Sequence, residues 1–136
     1  VRSIPRRLAE SVHDDRGSSP VEFVLVGAML TVLTLAVLQL GLAVYVRNVV
    51  HDAAVEGAFH AALADTTAVE GAVRTEALLE RTLGESYAVE AEAAVVAHLG
   101  HPAVEVTVRA TLPLLGLLGA PRAMEVTAHA PLESFD

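Results

Sequence analysis

The chain has 136 residues, 53% of them hydrophobic, with 9 Lys and Arg against 17 Asp and Glu. That length fits one small domain plus a membrane segment, and the net charge of −8 with no basic patch excludes nucleic acid as a partner. Cysteine is absent, which excludes a disulfide framework and a thiolate metal site.

Residues 1–17 form a polar leader carrying Arg2, Arg6, Arg7 and Arg16. Val1 fits a GTG start codon, so the leader is expected to begin there. From Phe23 to Val46 the chain then runs for roughly 24 residues without a charge. A bilayer core of about 30 Å needs about 20 helical residues, so residues 18–46 are read as a transmembrane helix. A buried core helix of this length would show a polar face, whereas Thr31, Thr34 and Gln39 are the only polar side chains inside this run. A secretory signal peptide has a shorter apolar core and a small-residue cleavage site; Tyr45-Val46-Arg47-Asn48-Val49 lacks that pattern. Four Arg precede the helix and only Arg47 closely follows. The excess of basic residues therefore places the N-terminus in the cytoplasm and the rest outside. Ser19-x-x-Glu22 with Pro20 between them reads as a capping box with Pro at the first helical position.

Residues 47–136 are expected to form an extracytoplasmic domain. Asn48 to Leu63 continues the membrane helix, and Ala53, Gly57 and Ala61 recur at i, i+4 on one face. Such a stripe suits close packing between helices of different subunits, or packing on the chain's own small domain. Thr67-x-x-Glu70 is a second capping box, and Gly84 suits a C-terminal cap, so a helix is expected over 68–83. Three strands follow. Val89 to Ala97 is the weakest, because its alternation breaks at Ala93-Ala94. Val104 to Arg109 alternates cleanly, and Met124 to Ala130 puts Glu125, Thr127 and His129 on one side. Gly100-His101-Pro102 reads as the turn between the first two strands, and Leu112 to Gly119 as an apolar connection. The fold class is α+β: a long N-terminal transmembrane helix extending into a small domain with a second helix and an antiparallel meander of about three strands.

No site for chemistry is legible. His51 and His60 are nine residues apart and do not make the i, i+4 pair of a zinc protease. His98 and His101 only flank a turn, and no serine sits in a nucleophile elbow. No metal, cofactor, small-molecule substrate or catalytic role is expected.

The residues where the leader meets the helix are Arg16-Gly17-Ser18-Ser19-Pro20-Val21-Glu22-Phe23. A basic leader, a Gly, four residues, then Glu and an aromatic opening an apolar helix resembles the prepilin processing site. Glycine allows the backbone to extend into a protease cleft, and a carboxylate at the edge of hydrocarbon is costly enough to suggest a function. The resemblance implies cleavage by a prepilin peptidase after Gly17, with Ser18 as the new N-terminus and Arg16, Glu22 and Phe23 as recognition residues. It also implies that Glu22 meets the free amine of another subunit. Within that class, Arg16-Gly17 and Val21-Glu22-Phe23 are similar to the TadE-like minor pseudopilins of the tight-adherence (Flp-type) pilus system. The similarity covers about residues 16–60. The chain departs from the major pilin, which is much shorter and usually has Tyr after the Glu, and it has Gly27 where many relatives have Pro. The implied function is a minor pseudopilin taking part in pilus assembly, located in the cytoplasmic (inner) membrane or in a surface pilus. The implied partners are the membrane, the peptidase, and other pilin subunits and assembly proteins. The alternative is an uncleaved single-pass anchor with a small outer scaffold or binding domain.

Overall fold

One helix, α1 (Ser18–Ala62), carries both the apolar run and the Ala-rich segment after it. The computed structural model describes residues 18–85, 87, 89–112 and 122–133. The leader, with Arg16 and Gly17, lies outside the described residues, as does most of the apolar connection after Leu112. The order of elements is α1, α2 (Ala68–Leu83), β1 (Val89–His98), β2 (His101–Leu112) and β3 (Arg122–Pro131). This is the expected α+β arrangement of a long apolar helix, a second helix and a three-stranded antiparallel sheet. The chain divides into two compact units, residues 1–37 and 38–136.

In the first unit every side chain from Ser19 to Val37 is exposed. The hydroxyls of Thr31 and Thr34 donate to the carbonyls of Gly27 and Leu30, each at 2.8 Å. Both hydroxyls are thus satisfied inside the helix, which is what a hydrocarbon surrounding requires. The helix already includes Ser18 and Ser19, so Ser19 lies inside it and not at the N-cap position expected. Pro20 is tolerated at the third position because first-turn N–H groups have no intrahelical acceptor.

The second unit holds the core. Burial on α1 begins at Val46 and recurs at Val50, Ala54, Ala58 and Ala62. These residues share one cluster with Leu79 of α2 and with the inner faces of β2 and β3. Val104, Val106 and Val108 are fully buried, opposite Ala130, Ala128 and Val126 on β3. Glu105, Thr107 and Arg109 point to the other face, so the clean alternation of this segment gives one apolar and one polar side. β1 runs on through Ala93-Ala94 without a bulge, in continuous register with β2. The apparent break arises because alanine suits either face.

Helix α2 starts at the Thr67 capping box. Glu70 N–H donates to Thr67 Oγ1 at 3.3 Å, and Thr67 N–H donates to Glu70 Oε2 at 2.7 Å. The Thr67 backbone bond, then the Thr67 hydroxyl, hold the Glu70 carboxyl below the usual carboxylate range. A depressed pKa stabilises the fold above the ordinary carboxylate pKa and loses that effect as pH falls through the folded value. Thr67→Ala is expected to cost about 1 kcal/mol. In Glu70→Gln the stability difference from the parent should shrink as pH falls below the ordinary carboxylate pKa and vanish once Glu70 is protonated in the folded state. Thermal unfolding of the detergent-solubilised chain at pH 7 and pH 3 checks both.

The β1–β2 turn is shifted from the expected position. His98 pairs with His101, leaving Leu99 and Gly100 as a two-residue loop with φ of 52° and 82°. Positive φ at both positions is the type I′ turn that matches strand twist. Pro102 can lie within β2 because β3 ends at Pro131, one residue before the ladder would need its N–H. Leu99 is 88% exposed and holds a left-handed conformation disfavoured for a β-carbon. Leu99→Asn is therefore expected to stabilise the domain by about 0.5–1 kcal/mol. A lowered melting temperature would contradict this.

Candidate functional site

The residues singled out at the mouth of the helix fall partly within the described structure. Ser18 opens α1, and Glu22 and Phe23 are exposed on its first two turns, Phe23 by 80%. Glu22 lies four residues after Ser18 in a continuous helix. Glu22 is the only charged residue of α1 before Arg47.

Ala53, Gly57 and Ala61 are brought together with α2. A β-carbon at Gly57 would collide with Thr75 Oγ1 and lie 2.8 Å from the Gly71 carbonyl oxygen. One at Gly71 would collide with Ala61 Cβ and lie 2.6 Å from the Gly57 carbonyl oxygen. Of the two packings the stripe allows, this one is within the chain's own domain. Gly71 and Thr75, the matching small residues on α2, escaped the sequence reading although their i, i+4 spacing mirrors the stripe on α1. Thr75 is fully buried, and its hydroxyl donates to Gly71 O at 2.9 Å, with Ala53 O at 3.4 Å. Arg74 and Glu56 bridge the rim of this contact at 2.8 Å; both are half exposed, so the pair adds little.

The outer face of the sheet is a polar ladder. Arg109 Nε donates to Glu125 at 3.0 Å and its guanidinium reaches Glu92 at 3.5 Å; these carboxylates raise its pKa. Thr107 meets Thr127 at 3.3 Å, and His129 Nε2 lies 2.8 Å from Glu105 Oε2. His98 and His129 stack with ring centroids 4.1 Å apart. Among the described residues no group of three His, Asp or Glu is placed to hold a metal ion. The ladder is cross-strand pairing of the kind that fixes register.

An exposed apolar helix long enough to cross a bilayer, followed by a small α+β domain, defines a single-pass membrane protein. Residues 17–58 match the family model described as TadE-like protein, and that stretch is similar to the family. The match begins at Gly17, takes in Glu22, Phe23 and the whole apolar run, and ends at Ala58, within the segment where α1 packs on α2. Comparison with curated proteins gave no match, and neither did comparison with solved structures.

Proposed function

We propose that the protein is a minor pseudopilin of a tight-adherence pilus, processed by a prepilin peptidase between Gly17 and Ser18. The observation that carries this reading is the TadE-like match beginning at Gly17, directly before a helix whose lone early charge is Glu22. In this reading Arg16 and the basic leader hold the scissile bond at the cytoplasmic face, and the domain after residue 46 lies outside. Cleavage frees the amine of Ser18 at the start of α1. The amine of a neighbouring subunit then meets Glu22, where low dielectric makes the attraction strong and desolvation makes an unpaired carboxylate costly. The role is structural, in priming, capping or joining the filament, with other pilin subunits and assembly proteins as partners.

The test is the intact mass and N-terminal sequence of the membrane-extracted protein, from hosts with and without prepilin peptidase. A peptidase-dependent start at Ser18 is expected. A leader retained in both hosts would leave the uncleaved anchor as the correct description.

A further inference from the structure

Within the second unit, which begins at Leu38, two paths show which end of the sheet lies toward the apolar run. The first follows β3. Glu133 N–H donates to the Ala62 carbonyl at 3.1 Å, and Leu132 N–H donates to the Pro102 carbonyl at 3.1 Å. The last turn of α1 therefore lies at the sheet end that carries Pro102 and Pro131. The second path follows α2. Gly71 lies against Gly57 and Ala61, and the Thr75 hydroxyl faces the Ala53 carbonyl, so α2 runs back along α1 toward Val46. On its other side, Ala91 N–H donates to Glu76 Oε1 at 3.1 Å, and Glu80 and Gly84 share a cleft with Val89. Moving along α1 toward Val46 is thus moving along β1 toward Val89. Val89 pairs with Ala110, and β2 ends at Leu112, which pairs with Arg122. Both paths put Val89, Leu112 and Arg122 at the end nearest the apolar run.

The lengths agree. Val46 to Ala62 spans about 24 Å of helix, and Pro131 to Arg122 spans about 30 Å of strand. The sheet end therefore reaches the level of Val46. No linker separates the apolar run from the core: Leu38, Leu40, Leu42 and Val44 are exposed, and Val46 is fully buried. Cover also continues past Val46 into the run. Ala43 and Gln39 share a face with Val46 and Val50 and are partly buried, whereas Ala28 and Ala36 of the same run are exposed. A bare helix leaves its alanines exposed, so the cover on Ala43 comes from outside α1. Gln39 lies about 10 Å before Val46, at a depth where an amide in hydrocarbon needs such cover. The stretch joining Leu112 to Arg122 includes Leu114, Leu115, Leu117 and Leu118 and no charged residue.

We propose that the end of the sheet at Leu112 and Arg122 enters the lipid headgroup layer beside α1, so that the domain meets the bilayer at this end as well as through the span. The partner is phospholipid. Continuity with the span selects it: this end of the sheet lies level with the point where the apolar run gives way to Arg47. An uncharged, leucine-rich connection at that level gains from leaving water. The opposite end, with the Leu99–Gly100 turn, then faces away from the membrane. The inference rests on the apolar run being the span and does not depend on processing at Gly17.

The chain has no Cys, so single cysteines carrying a fluorophore report position in the full chain in phosphatidylcholine nanodiscs. Thr111→Cys, Thr107→Cys and Leu99→Cys form a ruler along the sheet, with Thr111 and Thr107 about 13 Å apart. Val44→Cys is the reference inside the span. Ala123→Cys, opposite Thr111 on β3, repeats the measurement should the Thr111 variant fold poorly. Nitroxide lipids labelled at the headgroup and upper acyl chain should remove most of the fluorescence at Thr111, less at Thr107 and none at Leu99. Iodide in the water should act in the reverse order. Equal lipid quenching at Thr111 and Leu99 would overturn the proposal, as would none at Thr111 while Val44 is quenched. A Thr111 label shielded from iodide yet untouched by the lipid quenchers would mean that protein, such as a second copy, covers this end, and would overturn the lipid partner.

Discussion

Gly57→Leu is expected to undock α2 from α1 and unfold much of the α+β domain. The contact is backbone against backbone: a β-carbon at Gly57 meets Thr75 Oγ1 and the Gly71 carbonyl at once. Neither can withdraw easily, since Gly71 is buried in the first turn of α2 and Thr75 is fully buried. Overpacking of this kind costs about 3 kcal/mol, and in a domain of this size that lowers the melting temperature by roughly 10–20 °C. The milder Gly57→Ala separates collision from propensity, because alanine favours the helix by about 1 kcal/mol and yet should still destabilise. Thr75→Ala removes one of the two colliding atoms, so the double variant should be less destabilised than the sum of the singles. Additive losses would mean that the helices have room to separate. Unfolding of the detergent-solubilised chains, followed by near-ultraviolet circular dichroism, distinguishes these outcomes.

Glu22→Val is expected to leave cleavage at Ser18 intact and to abolish assembly. The substitution makes the span more apolar, so insertion should not suffer. What it removes is the one early charge of α1. Under the proposed function, that charge neutralises a neighbour's amine in hydrocarbon. Breaking a buried pair by deleting one partner costs about 3–5 kcal/mol, a loss of more than about a hundredfold in subunit affinity. N-terminal sequencing together with the amount of protein recovered in sheared filaments gives the two readouts. Normal incorporation of the Val variant would leave no role for the carboxylate in assembly.

The span, α2 and the clean strands were legible because each is set by a local pattern. An unbroken apolar run, Thr67 three residues before Glu70, and the Val104 to Arg109 alternation each depend on neighbours within one or two turns. The cap of α1 was placed too late, at Ser19, because the rule for proline at the first position also admits it elsewhere in the first turn. The β1–β2 turn was displaced because Leu99 is a poor residue for a left-handed position, and no local signal announces that Leu would occupy it. There the pairing of β1 with β2 overrides the residue's own preference.

At the candidate site, the spacing from Gly17 to Phe23 was visible because recognition at the mouth of a membrane helix is read along the chain. The partners of Ala53, Gly57 and Ala61 were not visible in the same way. A small-residue stripe shows that something approaches closely, but which surface approaches depends on how α1 and α2 fold back on one another. By itself, then, the sequence determined the membrane helix, its length, the charge at its mouth and the alternation of the sheet, since each follows from hydrophobicity and local backbone geometry. Only the tertiary structure decided that the stripe is covered by Gly71 and Thr75, and that Glu76 of α2 caps the edge of β1 at Ala91. Those are contacts between residues far apart in the chain, and their energies depend on atoms that only the folded arrangement brings within a few ångströms.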